Sequence, residues 1–427
     1  MKRLLSLRCI ITMMSAAVCT NGQTLSELAD QAVRNNRDLQ GLRQRMPEAE
    51  GARLQAGLRP NPTLDLNISN GAIVRNSGYW DGAVGYSQVI ELGGKRQRRI
   101  DLAEADLKAI PFEIQERERG LRAAVHAAYI EGLAAERNQE IARELLTLTE
   151  RSLTVVKARV AQGESPRLDE SLLTVEVNRI QADLVVFGGQ RDRALATLRT
   201  LAGMSPGEPI TLAAKLDLPP EGAALDETRQ RAVAERPDVQ FLRRAEISTG
   251  AAVRLEQSNA IPNLTATAKF GYTYDFIQRL QLTPVFSLPV TDSCPIVTVG
   301  ISIDLPWRNK NQGNIQAAVA RREGVRLRRE YQEQVVANEV TNALSRLQTA
   351  RQAVRVFQRS VLEQAQENLR IVRGVYEQGE LKLLDVLNEQ RRLIDSQRTF
   401  TDLLKESQLA WAEVQRVTGN SVRGEKP

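Results

Sequence analysis

The sequence predicts a mainly α-helical protein with a transmembrane β section, built from an internal duplication. Three chains together close a 12-stranded β-barrel, four strands from each, and a long α-helical barrel continues it. Three observations predict this. A unit of about 200 residues occurs twice, each copy holds two runs of strict apolar-polar alternation, and each holds one helical run of 68 residues.

The duplication comes from self-comparison. Leu25, Glu27, Ala32, Val33, Asp38, Gln40, Leu42 and Arg43 recur as Leu225, Glu227, Ala232, Val233, Asp238, Gln240, Leu242 and Arg243, a shift of 200 without a gap. Pro62 and Leu64 fall on Pro262 and Leu264 in the same register. Further on, Gly85 and Ser87 match Gly300 and Ser302 at 215, and Gln162-Gly163-Glu164, Leu168, Asp169 and Gly203 match Gln378-Gly379-Glu380, Leu384, Asp385 and Gly419 at 216. The 15 extra residues of the second copy fall between Leu264 and Gly300, so Asp275 to Pro295 reads as a longer loop. The chain then divides into a signal peptide (1–22), a first repeat (23–210), a linker (211–224), a second repeat (225–420) and a tail (421–427).

The first 22 residues carry Lys2, Arg3 and Arg8, then an apolar stretch from Cys9 to Val18, then small and polar residues, the pattern of a secretory signal. That stretch is too short to span a bilayer, and no later segment offers about 18 apolar residues in a row. Cleavage after Gly22 lowers the net charge from +6 to +3 and leaves Cys294 as the only thiol. Cys19 follows Ala16-Ala17-Val18, with Val where a lipid-acceptor motif wants a small residue.

Each repeat opens with a helical pattern and then alternates. Leu64, Leu66 and Ile68 alternate with Asp65, Asn67 and Ser69, and Val84 and Tyr86 with Gly85 and Ser87. In the second copy Leu264, Ala266, Ala268, Phe270, Tyr272 and Tyr274 alternate with Thr265, Thr267, Lys269, Gly271 and Thr273; Val297, Val299, Ile301 and Ile303 alternate with Thr298, Gly300 and Ser302. Period two gives each strand one apolar and one polar face, as a barrel in lipid needs and as half a soluble sandwich also shows. Tyr79, Trp80, Tyr272, Tyr274 and Trp307 are candidates for interfacial girdles.

The long helical runs are Lys95 to Gln162 and Asn311 to Gln378, 68 residues each and about 100 Å long. Val336, Val340, Ala343, Leu347, Ala350, Val354, Phe357 and Val361 follow a four-three spacing, a heptad seam. Such helices cannot fold back into a compact domain, and only 4% of the chain is aromatic, which suits seams of Ala, Val and Leu. The shorter segments 24–58, 167–203, 225–258 and 384–418 stack in pairs to the same length, with Pro47 and Pro237 as breaks. Four strands cannot close a spanning barrel, so the chain must oligomerise.

Composition excludes other classes. One histidine, His126, sits in a helical pattern as a packing residue and supports neither a zinc cluster nor a Ser/His/Asp set, so neither a catalytic role nor a cofactor is expected. Gly93-Gly94 lacks phosphate-loop spacing. No basic patch interleaved with aromatics points to nucleic acid. A periplasmic coiled-coil scaffold would explain the heptads but not four two-faced strands, and a passive porin would explain the strands but not the helices.

These residues resemble the TolC-like outer-membrane efflux family over essentially the whole mature chain. The carriers are the duplicated helix-strand-strand-helix unit, Arg59-Pro60-Asn61-Pro62, Glu91-Leu92-Gly93-Gly94-Lys95-Arg96, Glu235-Arg236-Pro237-Asp238, and Tyr376 through Leu387. Glu91 to Arg96, following Pro60-Asn61-Pro62, is most similar to the branch serving heavy-metal cation pumps, the CzcC type. The resemblance implies a homotrimeric exit duct in outer-membrane lipid, reaching into the periplasm and joined to a periplasmic adaptor and an inner-membrane RND-type transporter. Drug efflux and type I secretion share the same fold. It also implies a tip that closes like an iris through an acidic ring and polar links. The matching positions are Asp385 and Asp169, with Tyr376 as a link and Asn388 where many relatives carry a second acidic residue. Both aspartates also lie where a carboxylate caps a helix N-terminus, and this alternative stands beside the gate. The turns at Gly163 and Gly379 are the expected adaptor docking points.

Overall fold

The computed structural model describes residues 22–70, 80–221, 224–281, 287–378 and 380–419. Residues 1–21 of the expected signal peptide, Cys19 among them, lie outside the described residues, as do Tyr79, Gly379 and the tail 421–427.

The first copy opens with α1 (Leu25–Asn35), α2 (Arg37–Arg43) and α3 (Arg45–Ala56). Two strands follow, β1 (Thr63–Asn70) and β2 (Trp80–Ile90), then α4 (Lys95–Leu107), α5 (Ile110–Ala161) and α6 (Arg167–Ala202). The second copy repeats the order with α7 (Leu225–Glu235), α8 (Pro237–Asn259), β3 (Leu264–Gln281), β4 (Ser287–Ile303), α9 (Gln312–Phe357), a π turn (Gln358–Leu362), α10 (Glu363–Glu377) and α11 (Leu383–Thr418). Among the described residues no helix is long and apolar enough to cross a membrane.

Equivalent joints use equivalent geometry. Asn36 and Arg236, at matching places, both hold extended backbone between two helices. Asn36 caps α2 by accepting from the Leu39 N–H and donates to the Leu201 carbonyl. Arg236, buried, instead donates to Asp238 and Glu339, and desolvated charge of this kind is tolerated only when paired. Both helices that leave the sheet start from a left-handed cap, Gly94 (φ 69°) and Asn311 (φ 59°), the two residue types that adopt this conformation readily.

The long helical columns are not uniform. The first breaks at Lys108-Ala109, because Pro111 has no N–H to donate and its ring crowds the preceding turn. In the second, the seam from Val336 to Val354 is buried as expected, but the π turn then rotates the helix. Val361 is consequently 39% exposed and Leu362 packs on the core instead. The same seam runs in α5 through Leu121, Val125, Ala128, Ala135 and Ala142, all buried.

The four strands form one antiparallel sheet in the order β1-β2-β3-β4. Paired residues share a face, so Leu66, Val84, Phe270 and Val297 lie on one side and Asp65, Gly85, Lys269 and Thr298 on the other. The apolar side is bare in the single chain, with Leu66 69% and Val299 77% exposed. The stretch expected as a loop after Asp275 differs: β3 and β4 stay paired to Gln281↔Ser287, with one irregularity between Ile277 and Leu280. Phe276, Ile277, Leu288 and Val290 favour strand, so the extra residues lengthen the hairpin.

Residues 204–221 run across the helices as a belt. Gln23 bridges to Leu212, and the buried Tyr129 hydroxyl accepts from Ala213 and Ala214 while donating to the Gln23 carbonyl at 3.2 Å. Gln408 and Arg351 fasten the far end by donating to the carbonyls of Asp217 and Pro219.

Candidate functional site: the helical tip and the barrel junction

Two turns end the helical hairpins far from the sheet. Gly163 takes φ 79°, a left-handed conformation that lets the Glu164 N–H reach back to the Arg159 carbonyl at 2.8 Å. In the second copy Glu380 N–H reaches the Val375 carbonyl in the same way, at 3.3 Å.

The two aspartates sit three residues into the following helices. Asp385 accepts from the backbone N–H of Lys382 at 3.1 Å, so its carboxylate caps α11. At the matching place before Asp169 stands Pro166, which has no N–H, and among the described residues the Asp169 carboxylate has no hydrogen-bond partner. The capping alternative is thus realised at Asp385 alone. Asn388 is exposed one turn on. Tyr376 packs its side chain against an apolar cluster of Val156, Leu173, Leu383 and Leu387, and its hydroxyl has no partner among the described residues.

The links that do join the two hairpins are ones the sequence reading did not name. Glu176 of α6, 3% exposed, accepts from Arg391 of α11 through Nε at 3.0 Å and Nη2 at 2.7 Å. Two turns along both helices, Arg398 donates to Asp183 at 2.6 Å, its guanidinium 5.2 Å from the Phe187 ring centroid. Leu145, Ile180 and Ile394 fill the space between the pairs, and Gln390 reaches Thr149 at 3.4 Å. Both pairs join residues 215 apart, one short of the duplication's shift of 216, so each arginine stands one place before the counterpart of its acidic partner.

At the other end, the segment from Glu91 to Arg96 locks helix to strand. Arg99 grips the Glu91 carboxylate with both terminal nitrogens and donates to the Leu58 carbonyl at 3.3 Å. Arg96 donates to the Gly57 carbonyl at 2.5 Å, and Lys95 to Asn263 Oδ1 at 2.6 Å. Hydrogen bonding to Arg99 holds the Glu91 carboxyl below the usual range, while burial pushes Lys95 down. Among the described residues no group of three or more His, Cys, Asp or Glu could hold a metal ion.

The apolar face of the sheet has a definite height. Tyr274 and Trp80 pair directly at its outer level and Trp307 stands past the helix end of β4. The ten steps of β3 from Leu264 to Tyr274 span about 33 Å, or about 25 Å along the axis of a barrel with strands tilted by about 40°. That matches the apolar band of an outer-membrane barrel.

Comparison with known proteins agrees with this geometry. The Cobalt-zinc-cadmium resistance protein CzcC of Cupriavidus metallidurans is 24% identical over 402 residues, 93% of this chain and 90% of that protein. The Pyoverdine export outer membrane protein OpmQ of Pseudomonas aeruginosa is 25% identical over 89% of this chain and 81% of its own length. Crystal structures of CusC that concern folding and transmembrane channel formation superpose with a TM-score of 0.72 at 19% identity, over 92% of this chain and 91% of that one. The profile described as "Outer membrane efflux protein" matches residues 28–204 and 228–420. A bare apolar sheet joined to long helical columns is the form of that family, and the chain belongs to it, as a protein of the outer membrane that extends into the periplasm.

Proposed function

We propose that three copies of this chain form the exit duct of a tripartite efflux pump. Heavy-metal cations would pass through it from a periplasmic adaptor and an inner-membrane RND-type transporter to the exterior. The observation that carries the reading is the bare apolar face of the four-stranded sheet on the end of a helical column. Among the described residues its outer strands β1 and β4 each have an unpaired edge, and lipid tolerates strands only in a closed barrel. Four strands from each of three chains give 12, enough to enclose a lumen.

The tip is the gate in this reading. Asp169 and Asp385, repeated threefold, ring the narrow end and attract cations, with Asn388 a turn above and Tyr376 at the seam. The pairs Glu176–Arg391 and Asp183–Arg398 hold the hairpins together, and the turns at Gly163 and Gly379 meet the adaptor.

The similarity to CzcC, whose name gives cobalt, zinc and cadmium resistance, supports metal cations as cargo. OpmQ, whose name gives pyoverdine export, supports a second reading in which a small organic chelator leaves by the same duct. A strain lacking this chain and its neighbouring pump genes separates them. Restored growth on cobalt, zinc or cadmium only when the intact chain returns supports metal export; unchanged metal tolerance with loss of siderophore export favours the second reading.

A further inference from the structure

The register of the sheet fixes which charges a lumen would meet. Over the stretch where all four strands run side by side, only Asp65, Asp81 and Lys269 are charged, and all three lie on the polar face. Asp81 Oδ1 accepts from the Thr273 hydroxyl at 3.1 Å. Asp65 and Lys269 stand in one cross-strand row on either side of Gly85. A Cβ at Gly85 would lie 3.1 Å from Lys269 Cγ, 3.4 Å from Lys269 Cε and 3.4 Å from Asp65 Cβ. The Lys269 stem therefore lies across β2 over Gly85, in space that only a glycine leaves open, beside the Asp65 side chain on the far strand.

We propose that Lys269 sets the charge selectivity of the barrel, forming with Asp65 a compensated ring across Gly85. The proposal rests on the trimeric duct. Each chain then adds two negative charges and one positive, so the ring level is neutral and the net charge of this stretch is −3 for three chains. A tube of one sign with low-dielectric walls concentrates counter-ions, and carboxylate rings that bind a divalent cation well also release it slowly. Lys269 relieves that trap midway along the exit path. The barrel passes divalent cations together with their counter-anions instead of lodging the cations at Asp65.

The test uses the purified full-length protein in planar bilayers under a potassium chloride gradient, with cobalt chloride then added as blocker. The wild type is expected to be weakly cation-selective. Lys269→Met keeps the stem over Gly85 but removes the charge, and should raise the cation-to-anion permeability ratio several-fold and lower the cobalt concentration that blocks. Gly85→Ala, which displaces the stem, should shift the ratio the same way by less. Asp65→Asn should shift it in the opposite sense, and it carries the test alone if Lys269→Met does not assemble. Channels whose ratio is unchanged in Lys269→Met and Asp65→Asn would overturn the ring and leave the duct standing. A wild-type protein that opens no channel would overturn the duct, and the ring with it.

Discussion

Asp385 and Asp169 occupy equivalent places in the two copies, yet the residue three positions earlier gives them different chemistry. Lys382 offers Asp385 an N–H, whereas Pro166 offers Asp169 none. Asp385→Ala should cost about 1 kcal/mol of stability through the lost cap, and Asp169→Ala less than about 0.5 kcal/mol. If both line the gate, each variant should raise single-channel conductance. Equal stability losses in thermal unfolding would show that the proline makes no difference. His126 carries a second prediction. It is buried beside Arg119, Arg122 and Arg416, and burial lowers its pKa to about 4. Because the folded value lies below the unfolded one near 6.5, the neutral imidazole contributes stability in full above pH 6.5, and that contribution is lost as pH falls towards 4. His126→Gln should flatten the fall in Tm over this window; an identical slope would contradict a buried neutral histidine. The sequence showed that His126 packs in a helix, because it lies in a helical pattern. It could not show that Tyr376 turns its ring into an apolar cluster, since that depends on the second hairpin leaning on the first.

Periodicity made the elements legible. Strand faces follow from alternation alone, and the observed pairing keeps every named apolar position on one side. Val299→Lys should impair assembly by about 2–4 kcal/mol near the bilayer midplane, while Thr298→Lys should assemble, as judged by recovery in the outer membrane. The opposite ranking would reverse the faces. The heptad seam was legible to Val354 and failed at Val361, because a π turn adds a residue that no spacing pattern announces. The ties between hairpins were missed for another reason: Glu176 and Arg391 look like members of solvated charged faces until the fold brings them together. Arg391 is 41% exposed in its side chain but Glu176 is nearly sealed. Arg391→Ala should therefore cost about 1–3 kcal/mol, below the full loss of a buried pair. The double variant with Glu176→Ala should cost less than the sum of the single ones. Additive losses would mean the two residues do not share an interaction.

The whole molecule was legible because it is built twice. Each copy repeats the helix, strand pair and helical hairpin, so weak local patterns confirm one another across a shift of about 200 residues. The second copy departs from the first in the lengthened β3–β4 hairpin and the π turn, while the Arg236 joint keeps the backbone geometry of Asn36 and changes only its hydrogen-bond partners. Among the described residues a single chain shows two open strand edges and a bare apolar sheet, a state that lipid does not accept until neighbours close it. The most direct test of this closure is membrane fractionation of the full-length protein in a host with two membranes, followed by electrophoresis with and without heating. A heat-sensitive trimer in the outer membrane is the expected result; a soluble periplasmic monomer or dimer would contradict the duct.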